Sequence, residues 1–237
     1  MNKATLTIFI SICLSLVGAI STRAQQTPAP GTDAALYYDK AVKGNAEAQF
    51  NLAICYYEGT GVDKNYTEAY AWMLKAAQQG FARAQQNIGA FLQKGIGCTQ
   101  DYAESAKWYR LAAEQGNANA QQNLAFFYHS GQGVTRDYAE AARLYRLAAE
   151  QGLVNSQYNT AINYLNGHGV TEDHAEAARW FRMAAEQGDP NSQYLLAELY
   201  ENGDGVTRDL DEAAKWYRLA AEQGDTDAKA ALERLGR

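Results

Sequence analysis

Apolar residues in this chain lie three and four positions apart, and the stripes they form return at a fixed interval. Ala48, Leu52 and Tyr56 stand at i, i+4 and i+8, one face of a helix predicted over roughly residues 47–58. A second stripe, Ala106, Tyr109 and Ala113, alternates with outward Lys107 and Arg110. The interval is marked by Gly44, Gly80, Gly116, Gly152, Gly188 and Gly224, each 36 residues after the last, with no insertion or deletion between them. Each unit therefore predicts two amphipathic helices. A single helix pair cannot bury its own apolar face, so the period predicts an all-α solenoid of stacked pairs.

The other residues keep the same phase. Trp72, Trp108, Trp180 and Trp216 lie eight residues before the next periodic glycine, and Leu144 fills that slot in the remaining unit. All are expected in the core. Ala53, Gly89, Ala125, Ala161 and Ala197 share one phase of the first helix, where small residues let neighbouring helices approach. Glycine pairs (Gly59/Gly61, Gly95/Gly97, Gly131/Gly133, Gly167/Gly169, Gly203/Gly205) are read as helix ends, since glycine takes the left-handed C-cap conformation without a Cβ clash. Asn65, Asp101, Asp137, Asp173 and Asp209 are predicted N-caps of the second helices. A glutamate follows each three residues later (Glu68, Glu104, Glu140, Glu176, Glu212), which resembles a capping box. The outward pairs continue as Arg143/Arg146, Arg179/Arg182 and Lys215/Arg218.

These residues resemble the Sel1-like repeat, a relative of the tetratricopeptide repeat. Unit five carries the fullest pattern: Ser192-Gln193, Leu196-Ala197, Tyr200, Gly203-Asp204-Gly205-Val206, Asp209 and Trp216-Tyr217-Arg218-Leu219-Ala220-Ala221. The similarity covers residues 34–237, read as a half repeat at 34–43, full units at 44–79, 80–115, 116–151, 152–187 and 188–223, and a C-terminal capping helix at 224–237. Unit four departs from it by placing Thr160 at the core leucine of its first helix. The resemblance implies a right-handed superhelix that acts as a scaffold or adaptor for a protein or peptide partner. It also implies an alternative, a cell-wall or β-lactam-related hydrolase, the label of some cysteine-rich relatives. Those relatives staple their units with cysteine pairs, a pattern absent here.

Residues 1–24 have another character: Lys3, an apolar run from Leu6 to Ile20, then Ser21-Thr22-Arg23-Ala24. This is the make-up of a secretory signal peptide, with cleavage expected near Ala24 and a periplasmic or secreted product. Residues 25–33, with Pro28 and Pro30, read as a flexible leader. Removing residues 1–24 takes away Lys3 and Arg23 and no acids, so the net charge moves from −6 to −8. An acidic chain is a poor match for nucleic acid, and no membrane span is expected after signal removal. A monomer is expected. Cys55 and Cys98 occupy apolar slots in adjacent units; they are read as small buried hydrophobes, or as a disulfide in an oxidising compartment.

Candidate chemistry is sparse. His129, His168 and His174 lack zinc-like spacing with one another or with cysteine. Ser105-Ala106-Lys107 is one residue short of Ser-x-x-Lys, and no Gly-x-Ser-x-Gly elbow occurs. The Gly-x-Gly pairs lack the lysine of a phosphate loop. Neither catalytic residues nor a metal or other cofactor are expected. What varies between units is one face of the first helix, opposite the Ala48/Leu52/Tyr56 stripe. There stand Phe50, Ile54 and Tyr57 in unit one, Phe126 and His129 in unit three, Tyr158 and Ile162 in unit four, and Tyr194 in unit five. Variable aromatic and polar side chains on a shared face are the material of interface anchors. These eight residues are the expected partner-binding face.

Overall fold

The computed structural model describes residues 27–237; the expected signal segment and the first residues of the leader lie outside the described residues. The described residues form α1 (Asp33–Ala41), α2 (Ala46–Glu58), α3 (Tyr66–Gln78), α4 (Ala82–Lys94), α5 (Tyr102–Glu114), α6 (Ala118–Ser130), α7 (Tyr138–Glu150), α8 (Val154–Asn166), α9 (His174–Glu186), α10 (Pro190–Asn202), α11 (Leu210–Glu222) and α12 (Thr226–Leu235), with no strand among them. The even-numbered helices from α2 to α10 are the first helices of the five units, and the odd-numbered ones from α3 to α11 are the second. Helix α1 supplies the half repeat and α12 closes the far end. Each helix packs on the one before and the one after, which makes an all-α solenoid.

The first helices end at Gly59, Gly95, Gly131, Gly167 and Gly203, all left-handed with φ between 64° and 82°. The second glycine of each pair does something else. A Cβ on Gly97 would lie 2.0 Å from the backbone oxygen of Tyr66, in the second helix of the preceding unit. Gly133, Gly169 and Gly205 meet the backbone of Tyr102, Tyr138 and His174 in the same way, and Gly61 meets the Thr32 side chain. The cap reading therefore holds for the first glycine only. The second is where one unit's loop touches the next backbone.

Asn65, Asp101, Asp137, Asp173 and Asp209 do cap the second helices, each accepting from the N–H three residues on. The capping box is only half formed. The N-cap N–H groups donate instead to carbonyls of the first helix, at Tyr56, Leu92, Tyr128, Tyr164 and Tyr200. With that donor occupied, the glutamates turn outward. Glu104, Glu140, Glu176 and Glu212 take Lys107, Arg143, Arg179 and Lys215 at 2.5–3.0 Å. Glu176 and Glu212 also accept from the indole N–H of Trp180 and Trp216, both at 2.9 Å.

Inside, Leu52, Ile88, Leu124 and Leu196 are buried beside the small-residue phase. A Cβ on Gly89 would sit 2.7 Å from the Tyr109 ring, so that phase does set helix approach. Trp72, Trp180, Trp216 and Leu144 are buried; Trp108 is not, being only partly covered against the first core cluster. Cys55 and Cys98 are free thiols, which corrects the disulfide alternative, and burial raises the pKa of both.

A ladder of glutamines ties the units. Gln49, Gln85, Gln121, Gln157 and Gln193 are buried. Each donates its amide to a carbonyl eight residues back, at Ala41, Ala77, Ala113, Ala149 and Ala185 (3.0–3.3 Å). Each accepts from the C-cap glutamine of its own unit, Gln79, Gln115, Gln151, Gln187 or Gln223 (2.7–2.9 Å). One buried side chain thus joins three successive helices in every unit.

Candidate interaction surface

The varying face of the first helices is partly used by the fold. Phe50 is 5% exposed, packed edge-on against Phe81 at 5.3 Å with the Arg83 guanidinium over its ring. It is therefore withdrawn from the expected partner face: Phe81, at the cap position of α4, has no side-chain capping bond and covers it instead. Ile54 and Tyr57 are half-buried against the first core cluster, with Tyr57 stacked on Phe91 at 5.6 Å and tilted to Tyr66 at 5.4 Å.

Phe126 is different. It is 46% exposed, in the phase that holds half-buried Ile54 and Ile162 in other units. Its own neighbour Phe127 turns inward and meets Tyr109 edge-on. A serine–glutamine bond, Ser156 Oγ to Gln122 Oε1 at 3.0 Å, ties α8 to α6 and so places these two first helices side by side. Tyr158 and Ile162 are half-buried on α8, Tyr158 lying edge-on to Phe181 at 5.9 Å. Burial, with Asp189 nearby, pushes the Tyr158 phenol up from its ordinary range. Tyr194 is half-buried too; burial and its hydrogen bond to Glu198 push its phenol up to about 12.

His129 sits in a cluster that spacing in the sequence does not reveal. Its ring meets Tyr138 at 5.2 Å and His168 at 6.3 Å, while Tyr138 stacks on His168 at 5.5 Å and carries Arg136 over its face. These residues come from the end of α6, the start of α7 and the loop after α8. Exposed Tyr138 and Tyr66 share the first position of the second helix, a slot with Tyr102, His174 and Leu210 in other units. That variation is the signal that could have found them.

The phase of Tyr57 is constrained from behind. Its counterparts Gln93 and Glu201 accept from the buried hydroxyls of Tyr109 (2.8 Å) and Tyr217 (2.9 Å). Arg234 of α12 also pairs with Glu201. The free part of the face is thus narrower than three residues per unit, with Phe126 its most open apolar side chain and Ile162, Tyr158, His129 and Tyr194 half-covered around the adjoining units. Among the described residues no group of three or more His, Cys, Asp or Glu side chains is placed to hold a metal, and no helix is long and apolar enough to cross a membrane.

No curated protein matches the sequence. Among solved structures, a protective antigen of uropathogenic Escherichia coli with an SLR fold is 38% identical, with a TM-score of 0.83 over 87% of this chain and 45% of that one. This chain therefore spans less than half of that antigen. A Sel1 repeat protein from Oxalobacter formigenes is 35% identical, with a TM-score of 0.70 over 80% of this chain and 78% of that one. The Sel1 repeat model matches five times without a gap, at residues 46–81, 82–117, 118–153, 154–189 and 190–225. Five matched units and five glutamine-linked helix pairs describe the same object, and the chain belongs to the Sel1-repeat family.

Proposed function

We propose that this chain is an exported interaction scaffold that holds a protein or peptide partner against its first helices around Phe126. Sel1-repeat proteins generally serve as protein-interaction scaffolds, typically without catalysis of their own. The observation that carries the site is the exposure of Phe126 in a row whose other members are drawn inward. A large aromatic held out on a rigid helix loses little on exposure and gains fully when a partner desolvates it. Export is supported by the charged start, apolar run and small residues of segment 1–24. The likeness to a protein described as a protective antigen is in keeping with it.

The test is a photo-crosslinking amino acid at position 126 in cells expressing the full chain, with position 107 on the outer side of α5 as control. A discrete adduct from 126 and none from 107 is expected. Phe126→Glu should remove that partner from a pulldown while the helical circular dichroism and melting temperature stay unchanged. Tyr158→Glu, which puts a charge against Phe181, should lower the melting temperature. Equal adducts from both positions, or unfolding by Phe126→Glu, would move recognition off this face. N-terminal sequencing of exported protein should begin near Gln25; a product that starts at Met1 would oppose processing.

A further inference from the structure

Several polar slots that recur from unit to unit have a duty in the scaffold. The glutamines link helices, the aspartates cap them, and the glutamates that follow take lysine or arginine. One recurring, half-buried polar slot has no such duty. Asn51, Asn87, Asn123 and Asn159 stand at one position of the first helix in units one to four, and Leu195 ends the row in unit five. Among the described residues, the side chains of Asn51, Asn87 and Asn123 hydrogen-bond to nothing, and their polar atoms reach solvent. Asn159 only returns its amide to the Asn155 carbonyl of its own helix, at 2.7 Å. Asparagine is a poor former of helix interiors, so neither packing nor helix stability accounts for its return in four units.

The row runs beside the open face. Asn51, Asn87, Asn123 and Asn159 lie three residues before Ile54, Ala90, Phe126 and Ile162, so each is the neighbour of that slot on the helix surface. The Ser156–Gln122 bond sets α6 and α8 side by side, and packed helices stand roughly 8–10 Å apart. The amides thus form a file at about that interval. At the far end the character changes. Glu198 takes the Phe126 slot, accepts from Tyr194 at 2.9 Å, and shares the surroundings of that ring with Asp225 and Asp227. Arg234 goes to Glu201 instead, and none of these three acids is in an ion pair among the described residues.

We propose that this face holds its partner as an extended peptide segment, with Asn51, Asn87 and Asn123 gripping the segment's backbone, an apolar side chain on Phe126 and a lysine or arginine at Glu198. The inference rests on the scaffold reading and says what form the partner takes. An asparagine amide is the complement of a peptide group: its NH2 donates to a carbonyl and its Oδ1 accepts from an N–H. A helical partner has spent its backbone groups internally, whereas a polyproline II segment has all of them free. Such a segment turns once in three residues and rises about 9 Å in doing so. The same face therefore returns at about the spacing of packed first helices. The asparagines read the extended shape, and Phe126 and Glu198 choose the sequence.

The test pans a phage library of linear dodecapeptides on the purified exported chain and measures synthetic copies of the selected peptides by fluorescence anisotropy. Binders are expected to carry an apolar residue and a lysine or arginine about six residues apart, two turns of the extended helix for two units of the solenoid. Asn87→Ala and Asn123→Ala should each weaken them about tenfold. Both variants should leave the melting temperature unchanged or raised, since no bond within the chain is lost. N-methylation along the peptide backbone should weaken binding at every third residue. Failure to select any saturable binder, binders that ignore both alanine variants, or a lower melting temperature in both would overturn the proposal. The two readings fail separately. If the crosslink from position 126 succeeds while the asparagine variants keep their affinity, the scaffold stands and the backbone grip falls. If Phe126→Glu leaves peptide affinity intact while the asparagine variants lose it, the grip stands and the Phe126 anchor falls.

Discussion

Trp180 and Trp108 occupy the same slot of the repeat, yet the first is buried with its indole N–H on Glu176 and the second is half-open. Trp180→Ala should cost about 3–5 kcal/mol, the usual loss for a large core aromatic, and Trp108→Ala clearly less, as read by chemical denaturation. Lys107→Ala should stay within about 0.5 kcal/mol, since its bond to Glu104 is a solvated pair. Glycines divide in the same way. Gly80 has φ +86° and open space around its missing Cβ, so Gly80→Ala meets only the left-handed strain of roughly 1–2 kcal/mol. Gly97→Ala adds a backbone collision at 2.0 Å and should be much more damaging in the same assay. Both glycines were legible as periodic; which one touches a neighbour was not. Contact with Tyr66 depends on how units stack, and no spacing within one unit reports that.

The helices themselves were nearly all legible, because stripe, cap and terminator agree in every unit. The faces were less so. Phe50 and Phe126 differ by a single step along the varying surface, and periodicity treats both as outward. Phe81 and Arg83 from the next unit decide that Phe50 is covered. The glutamines show the opposite case. Gln121 repeats so strictly that a structural duty could be suspected, but its partners lie eight residues back and thirty residues on, at Ala113 and Gln151. Gln121→Leu leaves the Ala113 carbonyl and the Gln151 amide without it. A loss of roughly 0.5–1.5 kcal/mol per lost hydrogen bond is expected, because the Ala113 carbonyl keeps the Gly116 N–H and the Gln151 amide keeps the Leu147 carbonyl. Hydrogen exchange should show the loss concentrated at α5, α6 and α7, since each unit contacts only its neighbours. A uniform increase along the chain would mean that the ladder is not what couples them.

Along the full solenoid, one inter-unit contact carries a titratable switch. His174 at the start of α9 lies 2.5 Å from Asp204 in the loop of unit five and 3.1 Å from Glu172. The hydrogen bond to Asp204 is the main reason its pKa is raised above the ordinary histidine value. A raised folded-state pKa stabilises when the ring is charged. The contribution is therefore complete below the unfolded histidine pKa of about 6.5 and disappears as pH rises through the folded value. Melting temperatures of the native chain and of His174→Leu, which copies Leu210, should differ most at mildly acid pH and converge at alkaline pH. A gap that widens with rising pH would reverse the sign and refute the pairing. The sequence shows only that His174 shares a repeat slot with Tyr102, Tyr138 and Leu210; Asp204, thirty residues away, supplies what that slot could not show.

The touch between Gly97 and the Tyr66 backbone also dictates how such a chain can change length. It works like the pitch of a screw thread: the count of residues from one contact to the next is 36, and every unit must honour it. Adding a single residue between Gly95 and Gly97 puts the loop out of step with the thread, whereas excising residues 118–153 rejoins matching ends. The excised chain should melt as one cooperative, shorter rod, and the one-residue insertion should split or abolish the transition. Growth by whole turns, never by fractions of one, is what an uninterrupted row of identical intervals records.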